Sequence, residues 1–274
     1  MRTTGVHSLD FDLNGGIRSG IVEISGAEAS GKSTLALSIM REASLCGERV
    51  GIVCASGYPD PNYLSRAGPA DAIVVSPHSG ESSLESSYQL LRANVKVVVI
   101  DSVTSIYPSM SLIKDISRED YSARLRMLYH ALTNLRKLAY KKRSVVVCVN
   151  EVRSRMFSRG VKSSSDSSFE DLSDLRIRLK RTSYSTEYGK LDRVNVGYKI
   201  LKSLLSKPGK SGAFVMWPDV GIDRSYELLS ELIKRETIKR SGAYFVTPLG
   251  GLGPGYSTAA AQVSDRYDDF VNLL

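Results

Sequence analysis

The sequence predicts an α/β fold in which a mostly parallel central sheet is flanked by helices. Three observations carry this. Short apolar runs rich in Val and Ile, such as Lys96-Val97-Val98-Val99-Ile100-Asp101, recur along the chain and read as strands buried on both faces. Between them lie segments with helical periodicity, the clearest from about Arg118 to Lys141. Finally, a glycine-rich stretch stands between one such strand and one such helix.

That stretch is Gly26-Ala27-Glu28-Ala29-Ser30-Gly31-Lys32-Ser33, followed by Thr34. It fits the phosphate-binding pattern Gly-x-x-x-x-Gly-Lys-Ser/Thr, with the strand Gly20 to Ser25 before it and a helix reaching about Leu45 after it. Glycine permits close approach and backbone angles that a Cβ would block. The loop N–H groups and the helix N-terminus then face phosphate oxygens. Lys32 supplies a point charge to the outer phosphates, and the Ser33 hydroxyl is placed for Mg²⁺. The competing reading is a Gly/Ser-rich turn that binds nothing; the Lys-Ser pair and both flanks argue against it.

The other elements follow in order. Residues 3–19 suggest a short helical turn closed by Gly15-Gly16. Residues 49–55 and 72–75 read as strands, Ser56 to Tyr63 as a turn-rich segment, and Ser83 to Ala93 as a helix. In the long helix Tyr121, Leu125, Leu128, Leu132, Leu135 and Ala139 make one apolar stripe. Ser144 to Val149 is another buried strand, ending at Asn150-Glu151. Arg153 to Asp174 lacks periodicity and reads as a mobile surface loop. Leu175 to Arg181, Arg193 to Ile200 and Ala213 to Trp217 extend the sheet, Tyr226 to Lys239 is a helix, and the Gly-rich end forms a small lobe. The division expected is a nucleotide-binding core over 1–225 and a truncated C-terminal lobe over 226–274. Ligands of such sheets bind at the carboxyl ends of the strands, where the loop, Asp101 and Asn150-Glu151 all fall.

Composition sets the bounds. The chain has 274 residues, 42% of them apolar, and no apolar run long enough to span a membrane. The N-terminus has no signal-peptide core. Cys46, Cys54 and Cys148 lack metal-ligand spacing and read as reduced thiols of a cytoplasmic protein. A formal charge of +8 suggests a polyanionic partner such as nucleic acid.

Asp101 closes an apolar strand, the position at which phosphate-loop ATPases hold Mg²⁺ through water. Here the chain resembles the bacterial RecA recombinases. The matching residues include Thr4-Gly5, Ser8-Leu9-Asp10, Gly15-Gly16-Ile17, Gly20 to Ile24, the loop 26–33, Asp60-Pro61-x-Tyr63, Val99 to Val103, Arg126-Met127, Arg136-Lys137-Leu138, Asn150-x-Val152-Arg153, Gly221-Ile222-Asp223 and Ser241 to Tyr244. The resemblance runs over nearly the whole chain. It implies ATP and Mg²⁺ as ligands, single-stranded DNA as partner, self-association or association with another RecA-like protein, and work in recombination and repair of DNA damage. It also implies that Asp60 and Tyr63 contact adenine, that Asn150 belongs to the nucleotide site, and that Lys202 reaches a neighbour's ATP. Segments 107–120 and 153–175 and Arg126 look like DNA-facing regions. Within the second, Arg153, Arg155, Arg159 and Lys162 interleave with Met156 and Phe157, a composition suited to phosphates and bases; Arg176 is grouped with them.

The departures bear on catalysis and assembly. The family ends its second strand in Asp-Ala-Glu, the Glu activating water; here Cys54-Ala55-Ser56 stands there. The family's Gln after the later strand is Glu151. Either Glu151 has taken over as general base from another strand end, with Lys32 the other catalytic residue, or catalysis has decayed; ATP binding with slow or absent hydrolysis is expected. The family's N-terminal subunit-docking helix and strand are expected to be absent, the glycine-rich signature of the second DNA loop is missing, and Leu204 replaces a lysine. These weigh against filaments built through the usual contacts. The alternatives are a non-hydrolysing paralogue that serves a full-length recombinase and, more weakly, a motor of the same fold.

Overall fold

The computed structural model describes residues 1–58, 60–109, 118–152, 169–187, 190–218 and 220–274. Its centre is an eight-stranded sheet, and apolar alternation explains the order of its layers. The strands are β1 (Gly20–Gly26), β2 (Val50–Cys54), β3 (Ile73–Val75), β4 (Val97–Asp101), β5 (Val145–Glu151), β6 (Leu175–Glu187), β7 (Lys190–Ser203) and β8 (Ser211–Met216). They stand in the order β3-β2-β4-β5-β1-β6-β7-β8. The first six are parallel, and β7 and β8 continue the sheet antiparallel.

The helices cover both faces of this sheet. On one lie α1 (His7–Asp12), α2 (Lys32–Leu45) and α3 (Pro61–Ala67), packed on Val22, Ile24, Val97, Val99, Val147 and Val149. On the other, α4 (Gly80–Arg92) and α5 (Arg118–Lys142) pack on Ile21, Val98, Ile100, Val146 and Cys148. Successive residues of β1, β4 and β5 thus enter opposite cores, as period-two side chains must. Leu128, Leu132, Leu135 and Ala139 bury the stripe expected of α5.

Three local expectations need correction. The turn-rich segment contains α3: Asp60 Oδ1 accepts from the Asn62 N–H at 2.9 Å and Pro61 opens the helix, a position that suits a residue with no N–H to donate. The end of the segment read as a surface loop is buried, with Phe169 and Leu172 in the α4/α5 core. The helix begun near Tyr226 is α6 (Arg224–Lys234); Lys239 instead starts a small antiparallel sheet of β9 (Lys239–Ser241), β10 (Tyr244–Thr247) and β11 (Gly250–Leu252). Two helices follow it, α7 (Tyr256–Asp265) and α8 (Tyr267–Val271). These elements share a separate apolar cluster around Leu228, Leu232, Phe245, Val263 and Phe270.

Candidate nucleotide site

The loop between β1 and α2 has the backbone that anion binding requires. Gly31 precedes α2 with φ +86°, a left-handed angle that costs L-residues with a side chain. A Cβ on Gly26 would fall 2.5 Å from Leu179 O and from Ser30 Oγ, so the strand end admits only glycine. Ala29 holds φ +54° between them. A cavity of about 280 Å³ opens over Ala29 to Thr34, with Arg181, Val194, Met216 and Pro218 as its other wall.

Lys32 is 8% exposed, and its ammonium donates to Ala27 O at 2.6 Å, bridging the loop. Burial pulls its pKa down, while the charges of Glu151, Asp101 and Glu28, in that order, hold it up. Asp101 ends β4 beside the loop; burial raises its pKa, opposed by a hydrogen bond from Ser33 and by Lys32. A hydroxyl and a carboxylate in contact are hard oxygen donors of the kind Mg²⁺ takes. Ser33 and Asp101 therefore fit a metal held with phosphates. The Asp101–Ser102 peptide is cis.

Tyr63 and Thr34 meet across α2 and α3, their hydroxyls 2.6 Å apart; burial raises the phenol's pKa against that bond. Asp60, exposed, is occupied as the α3 cap.

At the end of β2, Ser56 is built into a hydroxyl cluster. Its Oγ accepts from Ser102 N at 2.8 Å and lies 2.9 Å from Ser102 Oγ and 3.0 Å from Ser105 Oγ. A hydroxyl has one proton and two lone pairs, so three partners fill its capacity. Ser102 Oγ continues to Thr104 Oγ1 at 2.8 Å, which accepts from Glu151 N at 3.4 Å. Sequence reasoning missed Ser102, Thr104 and Ser105. The run of hydroxyls directly after Asp101 was the available signal.

The β5 end splits its two polar residues between faces. Asn150 turns inward and donates to Glu23 Oε1 at 2.8 Å. Glu151 is half-buried; it follows Val147 and Val149 in period two and so shares the face that carries α2. The register sets Glu151 opposite Gly26, and Val152 N donates to Gly26 O at 3.0 Å.

The other expected residues are scattered. Arg126 is exposed and lines a groove of about 950 Å³ between α4 and α5 with Tyr88, Met127 and His130. Lys202 donates to Glu170 O at 2.7 Å and Asp171 O at 3.2 Å. Arg176, expected among the DNA contacts, is 6% exposed and donates to Glu23 Oε2 at 2.5 Å, with Glu170 3.5 Å away. The β1/β6 register pairs Glu23 with Arg176 directly, which draws the guanidinium into the sheet rather than to a surface phosphate. Arg153, Arg155, Arg159 and Lys162 lie outside the described residues.

The RecA N-terminal domain profile matches residues 1–223. The chain belongs to the RecA family. It is 28% identical over 271 residues to Protein RecA of Paramagnetospirillum magnetotacticum, covering 96% of this chain and 79% of that one. The same protein of Acholeplasma laidlawii is 27% identical, with 96% and 82% covered, and that of Pseudomonas putida 28% identical, with 96% and 77% covered. Membership makes this a RecA-like recombination and repair protein. Among the described residues no helix is long and apolar enough to cross a membrane.

Proposed function

We propose that this RecA-like protein binds ATP with Mg²⁺ at the loop 26–33, associates with single-stranded DNA and other RecA-like subunits, and hydrolyses ATP slowly or not at all. The observation that carries the reading is the pairing of an intact cradle with a saturated Ser56. Lys32, Ser33, Asp101 and the loop backbone supply what a Mg²⁺-nucleotide needs, and the Thr34–Tyr63 pair closes one side of it. When bound, Mg²⁺ supplies charge neutralisation between the outer phosphates. The protein's own residues would orient the nucleotide: loop N–H groups and Lys32 on phosphate oxygens, Tyr63 toward the base.

Among the described residues directly after β2, Ser56 stands where a proton-accepting carboxylate is expected. A serine hydroxyl, already bonded to Ser102 and Ser105, cannot take a proton from water at neutral pH as a carboxylate can. Glu151, half-buried at the end of β5 opposite Gly26, is the acid whose place supports a role as relocated general base. The separate apolar cluster of α6 to α8 supports the division into a core over 1–225 and a lobe over 226–274. Arg153, Arg155, Arg159 and Lys162 remain the proposed DNA contacts, with Arg126 exposed on the α5 surface. The second reading, a non-hydrolysing paralogue that assists a full-length recombinase, is favoured by the same saturated serine.

The test is ATP turnover with and without single-stranded DNA, alongside Lys32→Ala. The expected result is ATP binding that Lys32→Ala abolishes, with turnover at or near background in both conditions. DNA-stimulated turnover that disappears in Lys32→Ala would overturn the slow-hydrolysis reading and establish an active recombinase-type ATPase.

A further inference from the structure

Resting on the nucleotide-site reading above, we infer that Arg181 is a second cationic ligand of this site, reaching the inner phosphates of the nucleotide from the wall opposite the loop. Its place is set by the sheet. The last β1/β6 pair is Gly26 with Leu179, and β6 runs on past it to Glu187. Ile177 and Leu179 pack into the core on the α2 face, and the next register shift of β6 falls after Arg181. Period two therefore puts Arg181 on the face that carries the loop, just beyond its first glycine. The β6/β7 register fixes the position a second time. Arg181 stands opposite Val196, whose Cγ2 would lie 3.3 Å from a Cβ on Gly31. Both glycines that bound the loop are thus neighbours of this stretch of β6 and β7.

The chemistry of that wall singles out this side chain. Arg181 shares it with Val194, Met216 and Pro218, so among the described residues it is the one charged group facing the loop across the cavity. It pairs with no carboxylate among the described residues. Its guanidinium lies 5.9 Å from the ring centroid of Tyr184, which is itself 64% exposed. A cation at that distance from an exposed ring is weakly held, and turns to a stronger partner at little cost. On the loop side, Lys32 is already tied to Ala27 O. Ser30 Oγ, in a residue 1% exposed, has no hydrogen-bond partner, a buried polar atom that a ligand oxygen would satisfy. In such loops the backbone N–H groups cradle the inner phosphates while the lysine reaches the outer ones. A guanidinium facing Ala29 to Thr34 therefore meets the phosphates that a diphosphate and a triphosphate share. Its planar fork suits their oxygens, and it brings a full charge where the loop backbone brings dipoles.

The experiment is equilibrium titration of the whole chain with Mg-ADP and with a non-hydrolysable Mg-ATP analogue, for the natural protein and for Arg181→Ala, Arg181→Gln and Arg181→Lys. Loss of a charge-assisted bond at a rim open to solvent should weaken both nucleotides about tenfold, and alike, in the alanine and glutamine variants. Arg181→Lys should recover part of the loss, because it keeps the charge without the fork. Added salt should weaken binding by the natural protein more steeply than binding by either neutral variant. Affinities within about twofold of the natural protein's in both neutral variants would overturn the inference. So would a loss confined to the analogue, which would put the guanidinium at the outer phosphate. Unchanged nucleotide affinity with weakened binding of single-stranded DNA would overturn it too, and make Arg181 a nucleic-acid contact. The nucleotide-site reading stands in each of these cases. Binding of neither nucleotide by the natural protein would overturn that reading and the inference with it. Circular dichroism identifies a neutral variant that has failed to fold, and the other then decides.

Discussion

Replacing Arg176 with alanine separates a structural from a DNA-contacting arginine. Glu23 is 0% exposed in the middle of β1. The Arg176 guanidinium, 2.5 Å from one carboxylate oxygen, and the Asn150 amide, 2.8 Å from the other, are its hydrogen-bond partners. Arg176→Ala leaves a charged carboxylate between β5 and β6 with a neutral amide for company. Removing one partner of a buried pair costs about 3–5 kcal/mol, because the remaining charge keeps its desolvation penalty. The second contact, to Glu170, whose side chain is 40% exposed, adds little. The loss would be a large share of the roughly 5–15 kcal/mol that a folded domain has to spare. Urea denaturation followed by circular dichroism reads it directly as a fall in midpoint. The double variant Glu23→Leu/Arg176→Leu removes both charges and should recover most of the loss, since an apolar pair of similar volume replaces an ion pair at little cost. Destabilisation under about 1 kcal/mol, together with weakened binding to single-stranded DNA, would refute this reasoning and return Arg176 to the DNA surface.

Two further variants test the frame around the site. Glu227 on α6 is 4% exposed and burial pushes its pKa from 4.5 to about 8, although Val215 N donates to it. Its folded-state pKa is raised, so its protonated form contributes stability that is complete below about pH 4.5 and is lost as pH rises through about 8. Glu227→Gln should remove this slope and, at pH 8.5, exceed the natural protein by about 2 kcal/mol or more; an unchanged pH profile of the urea midpoint would contradict it. Gly31→Ala places a Cβ 3.0 Å from Met216 Sδ and 3.3 Å from Val196 Cγ2, at φ +86°. It should cost about 1–2 kcal/mol and abolish the thermal shift given by Mg-ADP; a shift equal to the natural protein's would show that the loop does not bind phosphate through this backbone.

Much of the architecture was legible because its strands are buried on both faces. Val97 to Ile100 and Val145 to Val149 are unbroken apolar runs with few other readings, and the loop 26–33 has its pattern and both flanks in one contiguous stretch. What stayed hidden depended on pairing between distant strands. Glu23 and Arg176 are 153 positions apart and become neighbours only through the β1/β6 register. A carboxylate set within Ile21-Val22-Glu23-Ile24 was the available warning, since a buried strand carries an acid only with a partner. Helix α3 was masked by Pro59 and Pro61, which read as turn residues although one of them opens the helix. The C-terminal helices were masked in the same way by the glycines of 250–255.

The nucleotide site turns on where its carboxylates stand rather than on how many it has. Relative to the pattern it resembles, one acid is missing at the end of β2 and one is added at the end of β5. The two positions are not equivalent. At the β2 end, Ser56 bonds Ser102 and Ser105, which ties the end of β2 to the segment after β4 but offers a hydroxyl where a general base needs a carboxylate. At the β5 end, the strand register sets Glu151 beside Gly26, the strand end from which a relocated base would act. One substitution decides whether it does. If Glu151 is the base, Glu151→Gln loses whatever turnover the protein has. If catalysis has decayed, Glu151→Gln leaves a negligible turnover negligible. The hydroxyl of Ser56, bonded to Ser102 and Ser105 where a carboxylate would stand, favours the second result.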